Sequence, residues 1–530
     1  MSHVPFAAPA PRRARPLHRL GLAIATVILA APAAPAAGAP LSSRPAAEFR
    51  DSIGVQTHMP FTGFPYDRAS TADLSAMLRA IGVRHLRDDT CFLPEPDCQR
   101  VRSRMGALRD AFGAAGPPVD LVANYTRELA AVSDRATRDA DIARALTAAS
   151  RPPLVGMLAA LEPVNEPDLK QTTNWAAATL ADHATASRLL GSRAYASLRG
   201  VPVLSPAVGH AKNTPTLLAS GWHKGRASIG NFHPYPPAWG LPEQALDTTC
   251  GTGDALSCAA SLGSAAAPWA TEAGYSTSGS PVSTNWVSER AQAVYLPRLL
   301  LENYRRGVAR TYMYELIDLK PPGTGSAVDG YGLWRARMVG TNFVPGGPKL
   351  AALAISRMNE VIGDLGAGAA APGTLDVSVR MAGREASDAE VRRVLLRCAD
   401  GSYVLALWRP EKVWDNTYLD QGDITVPDVA ADVTVGGGPW NATVYRPTRA
   451  EAPTATARNT ARLSLQLGAD VTLVELHRVG GDNPGAGTPP ANPTPGGTGT
   501  PSRAQQAAMM QAAWDLLAAL FAAAVAQSLR

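Results

Sequence analysis

Between residues 53 and 316 short β-branched or apolar runs alternate with longer stretches in which apolar residues recur at helical spacing. That alternation is the mark of repeated βα units wound around a parallel sheet. Eight strands are predicted: "IGVQTH" (53–58), "VRHLRD" (83–88), "VDLVAN" (119–124), "VGMLAALEPVNE" (155–166), "VPVLSP" (201–206), "SIGNFHPY" (228–235), "PWATEAG" (268–274) and "RTYMYEL" (310–316). Helices are predicted for "TADLSAMLRAIG", "TRDADIARALTAAS", "DHATASRLLGSRAYASL", "VSERAQAVYLPRLLLENYRRG" and "KLAALAISRMNEVIG". The fold class is therefore α/β, with a (β/α)8 TIM barrel over 40–365. A doubly wound sheet would want a Gly-rich phosphate loop after an early strand, and the sequence carries none.

From residue 374 to 478 the pattern changes to closely spaced strands with no long helix between them, among them "TLDVSVRMA", "SYVLALWRP" and "DVTLVELHR". A small β-sandwich is the expectation there. Residues 480–502 are rich in Pro, Gly and Thr and read as a linker that cannot build a core. The alanine-rich end, 503–530, reads as an amphipathic helix with Met510, Trp514, Leu517, Phe521 and Val525 near one face. It fits contact with a membrane surface or a protein, while Asp515 and the flanking glutamines argue against a span.

At the other end, Arg12, Arg13, Arg15 and Arg19 precede the apolar run "LGLAIATVILA" and a stretch of small residues. Residues 1–39 thus read as a secretory signal peptide, which implies a secreted, periplasmic or cell-surface protein. In that oxidising setting the five cysteines suggest two short loop disulfides, Cys91 with Cys98 and Cys250 with Cys258, leaving Cys398 over. No Cys/His spacing resembles a zinc site, and no metal is expected. The net charge of +5 on 530 residues, with no basic block interleaved with aromatics, gives no sign of a nucleic-acid partner.

In a parallel barrel the reacting groups gather where the strands end. Taken strand by strand, those positions offer His58, Arg87 with Asp88, Asn124 with Tyr125, Asn165 with Glu166, Ser205, His233 with Tyr235, Glu272, and Tyr314 with Glu315. Glu166 in "VNEPD" and Glu272 in "ATEAGY" lie 272 − 166 = 106 residues apart, on the predicted fourth and seventh strands. A pair of carboxyls about 5 Å apart suits a retaining glycosidase, and a gap of about 6.5–9.5 Å suits an inverting one. Glu162, four residues before Glu166, is read as part of the strand or its lining, and Asp168 as support.

Asn-Glu-Pro ending the fourth strand, "HPY" on the sixth, a Glu ending the seventh and an Arg on the second resemble the clan A glycoside hydrolases. "IGVQTHMPF", "IGVRHLRDD" and "YMYELID" are similar to bacterial secreted members near families 39, 5 and 79. The resemblance covers roughly 50–365. It implies a (β/α)8 enzyme that retains anomeric configuration, needs no cofactor and acts on a carbohydrate. Glu166 would be the general acid/base and Glu272 the nucleophile. Asn165 would hydrogen-bond the sugar 2-hydroxyl, Tyr235 and Arg87 would hold Glu272 ionised, and His233 would sit beside the acid/base or the sugar. His58, Asn124, Tyr314 and Trp334 complete the expected sugar-binding set; Phe61, Tyr66, Tyr125 and Trp239 are further stacking candidates. Glu315 stands where the family has tryptophan nearby.

The competing readings are a barrel that binds carbohydrate or a surface partner without cleaving it, and a transglycosylase. The sugar, the linkage and the choice between endo and exo action live in loop shape, with 237–267 and 319–334 the expected walls.

Overall fold

The computed structural model describes residues 39–90, 97–113, 120–126, 134–169, 173–237, 240–251, 253–265, 267–279, 286–364, 368–417 and 421–480. The signal-peptide reading, Cys91, Trp239, the Pro/Gly-rich linker and the terminal helix fall outside them, apart from Ala39 and Gly480 at the edges of two of those spans. Among the described residues no helix is long and apolar enough to cross a membrane.

Seven strands form one curled parallel sheet. In chain order they are the first (Ile53–Gln56), second (His85–Asp89), third (Asp120–Asn124), fourth (Leu158–Glu162), sixth (Asn231–Phe232), seventh (Trp269–Ala273) and eighth (Arg310–Met313). They are ordered fourth, third, second, first, eighth, seventh, sixth. The remaining predicted strand pairs through isolated parallel bridges, Leu161 with Val203 and Asn165 with Ala207 on one side, Leu204 with Ile229 and Val208 with Phe232 on the other. The 203–208 segment thus links both edges of the sheet, and the fourth and eighth strands come to lie four steps apart either way around.

A helix follows each strand: Thr71–Ile81, Asp97–Gly113, Arg135–Ala149, Trp175–Leu190, Thr214–Ala219, Ala255–Leu262, Glu289–Arg306 and Leu350–Ile362. Thr71–Ile81 shows how locally this is written. Ser70 and Asp73 form a capping box, Gly82 closes the helix at φ 64°, and Leu74, Met77, Leu78 and Ile81 are buried on one face. The predicted 182–198 helix instead starts at Trp175, stops at Leu190 and gives way to the 3-10 turn Arg193–Leu198. Gly191 at its C-cap, with the lowest intrinsic helix propensity after proline, is the sequence's own stop.

Beyond the last helix two sheets share one apolar cluster. Val377, Val379, Val433, Val435, Leu465 and Leu467 come from one sheet, and Leu395, Leu405, Leu407, Val444, Val474 and Leu476 from the other. The alternate residues of the second sheet, Val394, Leu396, Val404, Ala406 and Trp408, belong to the main core with the helices. A strand buried on both faces reads as an unbroken apolar run, which is why "YVLALW" lacks alternation. Arg298 of the seventh helix, fully buried, donates to Glu243 at 2.8 and 2.6 Å and to Glu411 O at 2.8 Å, while Trp408 Nε1 donates to Glu243 at 2.7 Å.

The start of the 40–365 span read as barrel needs correction. Ala39–Ser42 pairs antiparallel with Thr374–Met381, and Arg44–Pro45 pairs parallel with Arg392–Arg397. The chain therefore enters through the C-terminal sheets before it starts the ring. Both strands are short, four and two residues, so their partners across more than 300 residues leave no periodic signal in the local sequence.

Cys250 and Cys258 are disulfide-bonded with Cα atoms 6.3 Å apart. Cys98 is also disulfide-bonded. Cys398 is buried, its Sγ 3.7 Å from Ile362 O.

Candidate active site

Because all the ring strands run the same way, the residues that end them share one rim. Arg87, from the second strand, is its organiser. The guanidinium donates from Nε to Glu162 Oε2 at 2.5 Å and from Nη2 to Glu162 Oε1 at 3.1 Å. It also reaches Glu272 Oε1 at 2.5 Å, Gln56 Oε1 at 2.7 Å and Asn165 Oδ1 at 2.8 Å. The planar fork of arginine suits this division among several acceptors, where a lysine ammonium would act as a point charge. Asp88 accepts from Thr57 Oγ1 at 2.6 Å and Met59 N at 3.0 Å, tying the loop after the first strand to the second.

Glu162 is wholly buried below the rim. Besides Arg87 it accepts from Asn231 Nδ2 at 2.7 Å and Thr271 Oγ1 at 2.8 Å. Every partner is a donor, so this carboxylate underpins Arg87 and has no access to a substrate. Gln56, Asn231 and Thr271 were not foreseen. Asn231 lies two residues before His233 and so on the same face of the strand, a signal the period of two could have supplied. Thr271 and Glu272 are consecutive yet both serve the site, because the pairing with the eighth strand shifts register between Ala270 and Ala273.

Glu272 accepts from Arg87 and, at 2.8 Å, from the Tyr235 hydroxyl; His233 Nδ1 stands 3.5 Å away. Burial works against its charge, but His233, Arg87 and Tyr235 outweigh it and hold the carboxyl below its ordinary range. Glu166, partly exposed, faces His233 Nδ1 at 2.8 Å. Glu166 also has φ 41°, left-handed backbone that a β-carbon disfavours, and its N–H donates to Ala207 O at 3.1 Å. Strained backbone of this kind concentrates at functional sites. Asp168 anchors the same loop, accepting from Gly209 N at 2.8 Å, His210 N at 3.0 Å and Asn213 Nδ2 at 2.8 Å.

The orientation of His233 follows from Thr271. That hydroxyl has one proton and lies 2.8 Å from two acceptors, Glu162 Oε1 and Asn231 Oδ1, so its oxygen is left to accept from His233 Nε2–H at 3.1 Å. The other ring nitrogen, Nδ1, faces Glu166, where it can accept when neutral and donate when charged. Burial opposes the charge on His233, yet Glu272 and Glu166 raise its pKa above the ordinary value.

Asn165 is partly exposed, and with Oδ1 committed to Arg87 its amide N–H groups are the donors it can offer a ligand. Tyr314 is partly exposed on the rim, 5.3 Å from the Tyr331 ring, which in turn is 5.8 Å from Tyr235.

Other expected sugar contacts are buried. Trp334, Tyr66 and Tyr125 are fully buried, so they are packing residues and not stacking platforms. Asn124, also buried, accepts from Thr126 N at 2.9 Å and shapes its own turn. His58 is buried too, with neither ring nitrogen hydrogen-bonded; Nε2 lies 3.2 Å from Glu315 Oε2 but out of line. Burial lowers the pKa of His58 and, together with Asp318, pushes that of Glu315 well up. His58 thus acts as a floor beneath Phe61, whose ring stacks on it at 4.4 Å.

Glu166, His233 and Glu272 can each offer one ligand atom to a metal ion, all within 4.8 Å of one another. Each of these side chains already has a hydrogen-bond partner within the protein.

No protein-family model matches the chain, and no curated protein matches it. Among solved structures, an endo-β1,6-glucanase is similar over 83% of this chain and 93% of its own, at 10% identity and a TM-score of 0.43. A glycoside hydrolase is similar over 81% and 93%, at 9% identity and a TM-score of 0.46. An active-site mutant of Rhizomucor miehei β-1,3-glucanosyltransferase, in complex with laminaritriose, is similar over 56% and 97%, at 14% identity and a TM-score of 0.39.

Proposed function

We propose that this chain is a retaining glycoside hydrolase, with Glu272 as nucleophile and Glu166 as general acid/base. One observation carries the reading: an oxygen of each carboxylate lies within 4.8 Å of the other and of His233 Nδ1. So close an approach of the two side chains supports the short separation of about 5 Å, at which one carboxylate reaches the anomeric carbon while the other protonates the leaving oxygen, over the wider gap an inverting enzyme keeps for water.

The unequal partners support the division of roles. Glu272 has a cation and a phenol on it and is ready as a carboxylate. Among the described residues Glu166 has only His233, from which it can take up a proton or to which it can return one. In the first step Glu272 bonds to the anomeric carbon as the glycosidic C–O bond breaks, and Glu166 passes its proton to the departing oxygen. Forming the ester removes the charge of Glu272. In the second step Glu166 takes a proton from water, the water oxygen bonds to the anomeric carbon, and Glu272 leaves as carboxylate. Net, one glycoside and one water give two sugars with the configuration kept. Asn165, tethered by Arg87, is placed to hydrogen-bond the sugar 2-hydroxyl. The fold is a (β/α)8 barrel with a β-sandwich, exported through its N-terminal segment and acting outside the cytoplasm.

The test is Glu272→Gly with an activated aryl glycoside and sodium azide. Rescue that yields a glycosyl azide of inverted configuration is expected. Undiminished turnover in Glu272→Gly, or product of inverted configuration from the unaltered enzyme, refutes the assignment.

A further inference from the structure

The rim opposite Glu166 carries a second feature that the chemistry does not use. Strand eight ends at Met313 and its helix begins at Leu350; the connection between them includes a hairpin, Trp334–Val339 with Asn342–Pro348. A βα connection needs about 2–6 residues. The extra length brings Phe343 to the loop after the first strand, where its ring lies 6.5 Å from Phe64 with planes 29° apart. Arg68 Nη2 donates to Asn342 Oδ1 at 3.1 Å and pins the two segments together. Phe64 is 5.8 Å from Phe61, and Phe61 rests on His58. All three phenylalanines are partly exposed; Phe61 and Phe64 rest with one side on the main core, and Phe343 extends the row beyond it.

The row is continuous with the reaction centre. From His58 the ring contacts run to Tyr314 at 5.6 Å, on to Tyr331, and through Tyr235 to the hydroxyl on Glu272. Around the ring, strands eight and one face strand four, which carries Glu166. The leaving group must lie beside Glu166, because that residue protonates it. The phenylalanine row therefore lies on the side of the sugar that stays on the enzyme.

We propose that Phe61, Phe64 and Phe343 form a shelf for the sugar units beyond the one that reacts, and that the enzyme cuts within chains of β-linked, equatorially substituted hexopyranosyl units. This rests on the retaining glycosidase reading. Flat rings without hydrogen-bonding groups match the C–H faces such a sugar presents on both sides when its hydroxyls are equatorial, whereas an axial hydroxyl blocks the face it stands on. Lys320, whose Nζ is 5.9 Å from the Phe64 ring, supplies a polar edge for the hydroxyls at the rim.

The experiment compares kcat/KM for 4-nitrophenyl β-glucoside with that for the β-cellobioside and β-laminaribioside. At least one bioside is expected to exceed the monoglycoside about tenfold, with nitrophenol and intact disaccharide released first, tenfold corresponding to about 1.4 kcal/mol. Phe343→Ala and Phe64→Ala should bring that ratio toward one, and Phe343→Trp should hold it. Turnover of the monoglycoside by the same preparation certifies folding. A ratio of one in the unaltered enzyme, or one that Phe343→Ala leaves in place, overturns the shelf alone. No nitrophenol from any of the three probes sinks the glycosidase reading for equatorial hexosides, and the shelf with it.

Discussion

Replacing Arg87 with methionine removes a cation from two carboxylates at once. Its five hydrogen bonds go to Glu162, Glu272, Gln56 and Asn165, and its own side chain is buried. For stability, the loss strands Glu162, which keeps only Asn231 and Thr271 in a wholly buried place. Breaking a buried pair from one side costs about 3–5 kcal/mol. For chemistry, a unit charge about 4 Å from Glu272 is worth about 4 kcal/mol at an effective dielectric of about 20. Tyr235 and His233 remain and blunt that loss, so the pKa of Glu272 is expected to rise by only part of what that charge is worth.

The sign is set by which form works. Arg87 favours the carboxylate, and the nucleophile acts as carboxylate. Without Arg87 a higher pH is needed to ionise it, so the acid limb of the kcat/KM profile should move to higher pH, with a fall of about a hundredfold at its plateau as Asn165 loses its tether. The assay is a pH–rate profile on an aryl glycoside, beside urea unfolding of the same variant. A folded Arg87→Met enzyme whose acid limb stays put would refute the claim that Arg87 keeps Glu272 charged.

Two further outcomes follow from particular residues. At Glu166, φ 41° strains any residue with a β-carbon, so Glu166→Gly should be more stable to urea than Glu166→Ala by about 1 kcal/mol although both lose activity; equal stability would deny the strain. At His233 the folded pKa is raised above the ordinary 6.5, so its stabilising contribution is full below that value and lost as pH climbs through the raised one. Unfolding free energy should therefore fall across that window in the unaltered protein and not in His233→Gln, and parallel curves would show that His233 is not charged in the fold.

Much of the ring was legible because each βα unit writes its own pattern. All eight predicted strand segments contribute pairings to it, and the strand-end positions brought Arg87, Asn165, Glu166, His233, Tyr235 and Glu272 together. What stayed hidden depends on distant partners. The helix Asp97–Gly113 does have Val101, Met105, Leu108 and Phe112 at helical spacing, but charged residues crowd between them. Strand Ala39–Ser42 is made by Thr374–Met381, not by its own four residues. Trp334 was misplaced for a related reason: an aromatic near a strand end reads as a platform, and only packing reveals that this one is sealed in the core.

The three acids at 162, 166 and 272 show where local reading stops. Residue type makes them equivalent; their hydrogen-bond partners do not. Glu162 points below the rim and is closed off by donors on all sides. Four residues on, Glu166 turns on a strained backbone and meets a histidine whose other nitrogen is already committed to Thr271. Glu272 comes inward beside Thr271 through a register shift and meets arginine and tyrosine. A support, a proton carrier and a nucleophile thus arise from one chemical group, because strand register decides which donors each oxygen can find. That register is a property of neighbouring strands, so the division of labour could be inferred from sequence only by placing the strands first.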